Sequence, residues 1–335
     1  MRSILIISIF LSCLDYLPLK SQQVNDDKKS TCSCLQSKIH FDISSIEKIV
    51  IHPDEIISNP DSFWAKDSAY RMVKQWHKNI SFPVPMDQWN KWMLDLKAVP
   101  VNERVMNPQL IAAQTTMGKE KEFNEKAIPY ICSFLPEDCP KITTTFYFTT
   151  AIMASGFQMD NNIVIYGANA DKDNLFIHEL FHRGFNQYDH LRFCSNHKDS
   201  LISKIYVDIQ NEGMATYVGY KALKDFPHCR TDMLKDDYKM FENIEDVKLL
   251  LNTMNDVLKK VFTLPEKEIN DSLWQVGSTD RAYYVVGCFM AKTIDDNLGR
   301  QVLIETISLA PQSFLERYNS LVDENFKVFD IYTQK

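Results

Sequence analysis

Two histidines and a glutamate stand close together near the middle of the chain, in the order His178-Glu179-Leu180-Phe181-His182. On a helix, residues four positions apart lie on one face, so both imidazoles can point at one ion. Neutral imidazole is a good ligand for zinc. Glu179 follows the first histidine, where its carboxylate can take a proton from a water that the metal activates. This HExxH pattern therefore predicts a zinc site whose activated water attacks a carbonyl group.

The residues around this motif indicate a buried helix that follows strands. The stretch Asn174–Asn186 is apolar on most sides, and polar groups in a buried helix are costly unless they are paired or bound to a metal. Upstream, Thr143–Thr150 and Asn162–Gly167 are rich in β-branched and aromatic residues, which predicts two strands. A zinc peptidase needs this arrangement, because an edge strand can hold an extended peptide across the metal.

A zinc site of this kind needs a third protein ligand and leaves a fourth position for water. The candidates downstream are His190, His197, Asp208 and Glu212. The pattern HExxHxxGxxH would supply another histidine, but phenylalanine and tyrosine occupy its glycine and histidine positions here. Glu212 is the strongest candidate, because it lies in an Asn-Glu-Gly-x-Ala sequence within a second predicted apolar helix, Val207–Tyr220. The alternative for Glu212 is an ordinary solvated helix glutamate.

The sequence HELFH followed by NEGMATY resembles the gluzincins, zinc peptidases whose third ligand is a glutamate on a second helix. The N-E-G-x-A-x-Y pattern is similar to that of aminopeptidase-N-like enzymes, and the chain looks most like predicted zinc-dependent proteases of bacteria. The resemblance covers roughly residues 143–318. It implies that His178, His182 and Glu212 bind one Zn²⁺ per chain and that Glu179 is the general base. A gap of 29 residues separates His182 from Glu212, longer than in the best-known gluzincins.

Two small residues follow Glu212 and affect how closely its predicted helix can approach the HExxH helix. Gly213 and Ala215 are expected to let the second helix pack closely on the HExxH helix.

A third segment, Asp280–Arg300, predicts an apolar helix that begins with two tyrosines. Gluzincin-like peptidases often carry a similar helix after the metal-binding helices, and a tyrosine there can donate a hydrogen bond to the oxyanion on the scissile carbonyl. Tyr284 or Tyr283 would fill that role, and Arg281 would bind a substrate carboxylate. The alternative is that both tyrosines are core residues at the start of a helix. Weaker candidates for the same task are His197 and Tyr217.

The segment Gly156–Asn161 loosely resembles the G-x-M-E-N motif of the same aminopeptidases, whose acid binds the free amine of the substrate. By that resemblance Asp160 would bind substrate. Asp160 and the two asparagines after it also form an ordinary hairpin-turn sequence, and turn chemistry favours this second interpretation.

The first residues predict export. An apolar run, Ile4–Leu11, follows Arg2 and is too short to span a bilayer, so residues 1–21 are interpreted as a signal peptide. Phe10-Leu11-Ser12-Cys13 also resembles a bacterial lipobox, which would make Cys13 a lipid anchor. We expect a secreted or periplasmic protein, with a membrane-anchored lipoprotein as the alternative and no transmembrane segment.

The rest of the chain divides into three predicted parts. Residues 22–45 are expected to be a flexible linker, because most of them are polar. Residues 46–140 are expected to form a helical N-terminal subdomain, with helices at Asp61–Lys78 and Met86–Leu96. Residues 141–335 are expected to form the catalytic domain, with further helices at 243–264 and 302–318.

Export permits disulfides, although pairing cannot be read from a sequence. Cys132 and Cys139 could close a short loop, and Cys194 and Cys229 could fasten the insertion after the HExxH motif. Cys288 is expected to be a buried free thiol within an apolar helix.

Composition excludes other classes of function. The net charge is −7 and the lysines are scattered, which argues against a nucleic-acid surface. We therefore predict an α+β, mainly helical, zincin-like fold, with a small mixed β-sheet packed on the HExxH helix. The predicted function is an exported zinc metallopeptidase acting on peptides or proteins. The alternatives are an inactive zincin scaffold that binds partners, and a metal-free structural domain whose histidines are satisfied core groups.

Overall fold

The fold contains a mixed sheet of four short strands, and one edge strand of this sheet borders the candidate site. The computed structural model describes residues 33–79, 84, 86–150, 155–170, 172–191, 197–226 and 232–334. The strands are β1 Lys38–Asp42, β2 Thr143–Thr149, β3 Gly156–Met159 and β4 Asn162–Tyr166. Their order is β1-β2-β4-β3, with β3 antiparallel to β4 and the other two pairings parallel. The predicted α+β class and both predicted strands are confirmed.

Helices make up most of the remaining described chain. The first eight are α1 Ser44–Ile51, α2 Pro53–Ser58, α3 Pro60–Lys66, α4 Ser68–Asn79, α5 Met86–Ala98, α6 Val101–Arg104, α7 Pro108–Met117 and α8 Glu120–Cys132. The others are α9 Asp173–Phe185, α10 His197–Lys221, α11 Asp232–Glu242, α12 Ile244–Leu258, α13 Glu266–Trp274, α14 Ala282–Leu298, α15 Arg300–Ser308 and α16 Gln312–Asn319.

Two predicted helices are each broken into a pair. The predicted helix 61–78 divides into α3 and α4, because the carboxylate of Asp67 accepts a hydrogen bond from the Tyr70 amide and starts a new helix there. The predicted helix 302–318 divides into α15 and α16 around Pro311, where proline lacks the amide that a continuing helix requires.

Aromatic packing joins the sheet to the HExxH helix. Phe146 of β2 and Phe176 of α9 have ring centroids 5.1 Å apart, and Phe41 of β1 lies 5.5 Å from Phe146 and 5.7 Å from Phe176. All three rings are buried. Alternate residues of a strand point to one face, so the aromatic residues of β1 and β2 form a surface on which α9 lies.

The predicted linker 22–45 is wrong in its second half. Residues 38–42 form β1, whose outer edge is covered by helix α8. The Asn124 side chain accepts from the Ile39 amide at 2.8 Å and donates to its carbonyl at 2.9 Å, and Glu120 accepts from the Phe41 amide at 2.8 Å. A polar segment thus becomes a strand because neighbouring parts of the fold satisfy its backbone groups.

The predicted pairing of Cys132 with Cys139 is also wrong. Cys132 forms a disulfide with Cys34, which lies 98 positions away in the sequence, whereas Cys139 is buried and takes no part in that disulfide. Cys288 is buried and free, as predicted. The suggested pair of Cys194 and Cys229 lies outside the described residues, as do residues 1–32 with the predicted signal peptide and Cys13.

The long helices α10 and α14 cross at two glycines. A Cβ atom on Gly213 would lie 2.3 Å from the carbonyl carbon of Gly287, so the two backbones meet without side chains between them. The sequence predicts that Gly213 packs on the HExxH helix, but its partner in the structure is Gly287 of α14. This crossing fixes how Glu212 and the start of α14 face each other.

Residues 32–335 form a compact unit. Within it, the division into a helical subdomain and a catalytic domain near residue 140 stays a prediction. None of the helices in the described ranges is long and apolar enough to cross a membrane.

Candidate metal centre

The HExxH motif lies on the buried helix α9, as its apolar sequence predicts. His178 and His182 are one turn apart and buried, and their Nε2 atoms are 2.9 Å from each other. Their rings are nearly perpendicular, at 88°. The helical spacing alone brings the two nitrogens to one point.

Helix α10 brings the third group to the same point. Glu212 places its Oε2 atom 3.4 Å from Nε2 of His178 and 3.3 Å from Nε2 of His182. A buried hydrogen bond of 2.7 Å, from the Asn174 side chain to the Gly219 carbonyl, ties α9 to α10 farther along. A glutamate 30 positions away from His182 is thus held against both imidazoles.

Among the side chains that the structure describes, His178, His182 and Glu212 are the one group of three metal-ligating residues, with ligand atoms within 4.8 Å of one another. Asp208, the aspartate candidate, is not part of it. The side chains of His190 and His197 lie outside the described part of the chain.

The donor set fits a zinc ion. Two imidazole nitrogens and one carboxylate oxygen are ligands that zinc takes in catalytic sites with three protein ligands. The Oε2 atom of Glu212 is buried and has no hydrogen-bond partner within the described residues, although it faces both imidazole nitrogens. A buried oxygen left in this state is costly unless a cation or a proton satisfies it.

A series of hydrogen-bonded amide side chains contacts His182 at Nδ1, the ring nitrogen that faces away from Glu212. Asn211 Oδ1 lies 2.8 Å from His182 Nδ1, and Asn211 Nδ2 donates to Asn186 Oδ1 at 3.2 Å. Asn186 in turn donates to Gln158 on β3 at 2.8 Å. A hydrogen bond from Nδ1 to Asn211 leaves Nε2 of His182 facing Glu212, and Nε2 is the atom that would bind a metal.

Sequence reasoning gave none of these amides a role. The one available signal was the position of Asn211 directly before the candidate ligand Glu212.

The two histidines are in opposite electrostatic states. Burial, followed by the neighbouring His182, lowers the pKa of His178 to about 4. Burial also opposes charge on His182, but Glu212 and Glu179 outweigh it and raise its pKa to about 9. Burial opposes the charge of Glu212 too, yet the two histidines hold its pKa well below the usual range. The carboxylate of Glu212 is therefore ionised, as a metal ligand must be.

Glu179 differs from Glu212 in charge state and in surroundings. Burial raises the pKa of Glu179 to about 7, although the nearby His182 opposes the rise. Its carboxylate lies over Gly156 of β3, where a Cβ atom would sit 3.1 Å from Oε1. A carboxyl group with a pKa near neutrality can both accept and return a proton at physiological pH.

The site opens into a cavity of about 510 Å³. Its walls are β3 on one side and the start of α14 on another. Large apolar side chains add to them, among them Trp76, Met233, Leu234 and Trp274. Trp76 stacks on Phe157 of β3, with ring centroids 4.8 Å apart and planes 19° apart. Edge strand and metal-ligating residues thus share one cleft.

The structure separates the two candidate tyrosines. The ring of Tyr284 lies nearly parallel to the imidazole of His178, at 12° with centroids 6.1 Å apart, and it lines the cavity. Tyr283 turns into the core against Gly277, where a Cβ atom would lie 2.3 Å from its ring. Tyr217 donates its hydroxyl hydrogen bond to Asp295 at 2.7 Å and is not among the residues lining the cavity.

The remaining two predicted site residues have different surroundings. Arg281 lines the cavity and makes a 2.7 Å ion pair with the buried Asp237. Asp160 is exposed in the turn between β3 and β4, with a φ of 52°, and does not line the cavity. The turn interpretation of Asp160 is therefore the one that the structure supports.

Comparison with known families agrees with this geometry. Residues 101–326, more than half of the chain, match the model of the family described as "Putative zinc dependent peptidase (DUF5700)". The chain belongs to this family. The family name implies dependence on zinc, and the group of His178, His182 and Glu212 lies within the matched region. Neither the curated proteins nor the solved structures contain a significant match to the chain.

Proposed function

We propose that this protein is a zinc peptidase of the gluzincin type, which hydrolyses peptide bonds in peptides or proteins. The observation that carries the proposal is the convergence of His178, His182 and Glu212 on one point inside a cleft, with Glu179 beside them. A metal-free structural domain would have no use for three ligating atoms arranged in this way. The family assignment supports the same class of function.

Each nearby residue has a chemical task in this proposal. A bound zinc ion would polarise the scissile carbonyl and lower the pKa of the attacking water. Glu179 accepts the proton of that water and returns it to the leaving amine, a role that suits a pKa of about 7. Tyr284, which faces the same cleft, donates a hydrogen bond to the oxyanion.

The sheet edge offers a place for the substrate. The outer edge of β1 is covered by side chains of α8, whereas β3 lines the cleft. An extended peptide can add to an exposed strand through backbone hydrogen bonds, with its side chains pointing alternately up and down. Gly156 keeps β3 close to Glu179, because any side chain there would crowd the carboxylate.

We further propose that the enzyme is exported, either secreted or periplasmic. The support comes from residues 1–21, in which Arg2 precedes the apolar run Ile4–Leu11. The alternative is a lipoprotein that is anchored to the membrane through Cys13. Globomycin treatment of expressing bacteria separates the two, because it blocks the processing of lipoprotein precursors only.

The first test measures zinc and hydrolysis in the same preparations. We expect about one zinc per chain in the wild type, with loss of zinc in Glu212→Ala. Glu179→Gln should keep zinc and lose hydrolysis of a mixed peptide library, because the amide cannot accept the proton. Tyr283→Phe serves as the matched control and should retain both zinc and activity.

The outcomes distinguish the rival functions. Zinc without hydrolysis in the wild type would favour a binding protein on an inactive zincin scaffold. A folded wild type without zinc would favour the metal-free structural domain. Full activity in Glu179→Gln would remove Glu179 from the mechanism.

A further inference from the structure

Arg281 is held in an unusual backbone conformation directly before α14. Its φ of 69° and ψ of 17° lie in the left-handed region, where a residue with a long side chain is uncommon. Among the non-glycine residues that the structure describes, only Arg281 and Asp160 have a positive φ. Such a conformation persists only when surrounding contacts hold it, and it is frequent at functional sites.

The contacts that hold Arg281 come from α11. Its Nε atom donates to Asp237 Oδ1 at 3.0 Å, and its Nη2 atom donates to Asp237 Oδ2 at 2.7 Å. Asp237 is fully buried, and the side chain of Arg281 is only 12% exposed. This two-pronged geometry fixes the plane of the guanidinium, which a lysine could not do.

The fixed guanidinium lies over the ring of Tyr284. Its central carbon is 3.2 Å from the centroid of the Tyr284 ring. The same ring is nearly parallel to the imidazole of His178, with planes 12° apart and centroids 6.1 Å apart. The ring of Tyr284, the proposed oxyanion donor, therefore contacts the guanidinium on one face and lies beside the imidazole of a candidate metal ligand.

We propose that Arg281 is a positioning residue for Tyr284, and that Asp237 anchors it in turn. This inference rests on the proposed function, which makes Tyr284 the oxyanion donor. A substrate carboxylate would need the guanidinium fork, but Asp237 already occupies two of its nitrogens and Tyr284 covers its face. The same contacts explain the strained backbone, because the side chain reaches both partners from that conformation.

Kinetics of Arg281→Met and Arg281→Lys test the proposal. Both variants should lower kcat about tenfold or more while KM stays near the wild-type value, because a displaced donor weakens transition-state stabilisation. In a Tyr284→Phe background, Arg281→Met should cause little further loss of kcat, since the two residues act through one hydroxyl. Arg300→Met, which removes the arginine at the other end of α14, is the matched control and should leave kcat unchanged.

Substrate binding by Arg281 would give a different pattern. If KM rose only for peptides with a free carboxyl terminus and not for their amidated forms, Arg281 would be a substrate-binding residue and the proposal would be overturned. Full additivity of the Arg281→Met and Tyr284→Phe losses would overturn it as well.

A measurement that needs no activity separates this inference from the proposed function. Protein carrying 3-fluorotyrosine at position 284 should show a ¹⁹F resonance that shifts and broadens in Arg281→Met, while fluorotyrosine at position 283 should not respond. An unchanged resonance at position 284 would overturn the positioning role. An enzyme that binds zinc but hydrolyses no peptide would instead overturn the proposed function, whatever the resonance shows.

Discussion

An arginine–aspartate pair lies at each end of helix α14, and an aromatic ring lies against each arginine. At the cleft end, Arg281 pairs with Asp237. At the far end, Arg300 pairs with Asp295 and its guanidinium lies 3.8 Å from the ring centroid of Phe134. The residue types are the same, yet of these four residues only Arg281 lines the cavity.

The two pairs differ in geometry and in burial. Arg281 uses two nitrogens on two separate oxygens of a fully buried partner, which fixes the guanidinium plane. Arg300 directs two nitrogens at one oxygen of Asp295, and its side chain is 31% exposed. Tyr217 donates to that same oxygen. Tyr217 therefore serves as an internal hydrogen-bond donor to the pair of Arg300 and Asp295. The pair of Arg281 and Asp237 instead orients Tyr284 towards the cleft.

Gly287→Ala, in the middle of α14, should have the most extensive effect, because it would disturb both ends at once. The new Cβ atom would lie 2.4 Å from the Ile209 carbonyl oxygen, so α10 and α14 would have to separate. Overpacking of this kind costs about 1–3 kcal/mol in the free energy of unfolding. We expect a lower urea midpoint together with weaker zinc retention, since Glu212 lies beside the crossing on α10.

Gly118→Ala is the control, because the nearest atom to its Cβ would be a backbone oxygen at 3.3 Å. Wild-type zinc content and stability in Gly287→Ala would show that the helices can separate without moving Glu212.

Tyr284→Phe should have a strong effect that is confined to the cleft end. Loss of an oxyanion donor lowers kcat by about 10²–10³-fold in comparable sites. Zinc content and the urea midpoint should stay near the wild-type values, because the ring and its contact with Arg281 remain. Steady-state kinetics on a peptide substrate measure the loss.

Tyr283→Phe and Tyr217→Phe are the matched controls for this change, one in the core and one at the far end. Equal losses of kcat in all three variants would mean that the hydroxyl of Tyr284 has no special role.

Asp295→Asn should have the smallest effect and should change stability rather than activity. Arg300 is partly exposed, so we expect a loss of only about 1 kcal/mol in the free energy of unfolding, measured by urea denaturation. Burial opposes the charge of Asp295, but hydrogen bonds from Arg300 and Tyr217 outweigh it and lower its pKa below the ordinary 3.8. The contribution is therefore fully present above pH 3.8 and disappears as the pH falls through the lower folded-state value.

The difference in stability between wild type and Asp295→Asn should accordingly be constant near neutrality and shrink in acid. A decrease in kcat for Asp295→Asn, or a difference that grows as the pH falls, would contradict the separation of the two ends.

Local patterns predicted much of the candidate site. The apolar sequence around His178 and His182 predicted a buried helix, and the four-residue spacing placed both imidazoles on one side of it. The Asn-Glu-Gly-x-Ala sequence pointed to Glu212, which the structure brings to the same place. The buried helix was predictable because helix periodicity is set by residues within a few positions of one another, whereas Glu212 was singled out by its similarity to the gluzincin pattern.

Contacts between distant residues were not predictable in the same way. The disulfide of Cys34 and Cys132 joins residues 98 positions apart, and β1 exists because α8 covers its edge. Neither depends on the local sequence alone. The pair of Asp237 and Arg281 is similar, since it requires α11 to lie beside the start of α14.

The sequence by itself determined which groups are available for chemistry and that two helices carry them. These groups are His178, Glu179 and His182 on one helix and Glu212 on the other. Only the tertiary structure decided which neighbours serve them. Adjacent helical residues point about 100° apart, so Tyr283 and Tyr284 were equivalent until the Gly213–Gly287 crossing set the rotation of α14. Close packing of whole helices fixes that rotation, and it depends on contacts that no short stretch of sequence contains.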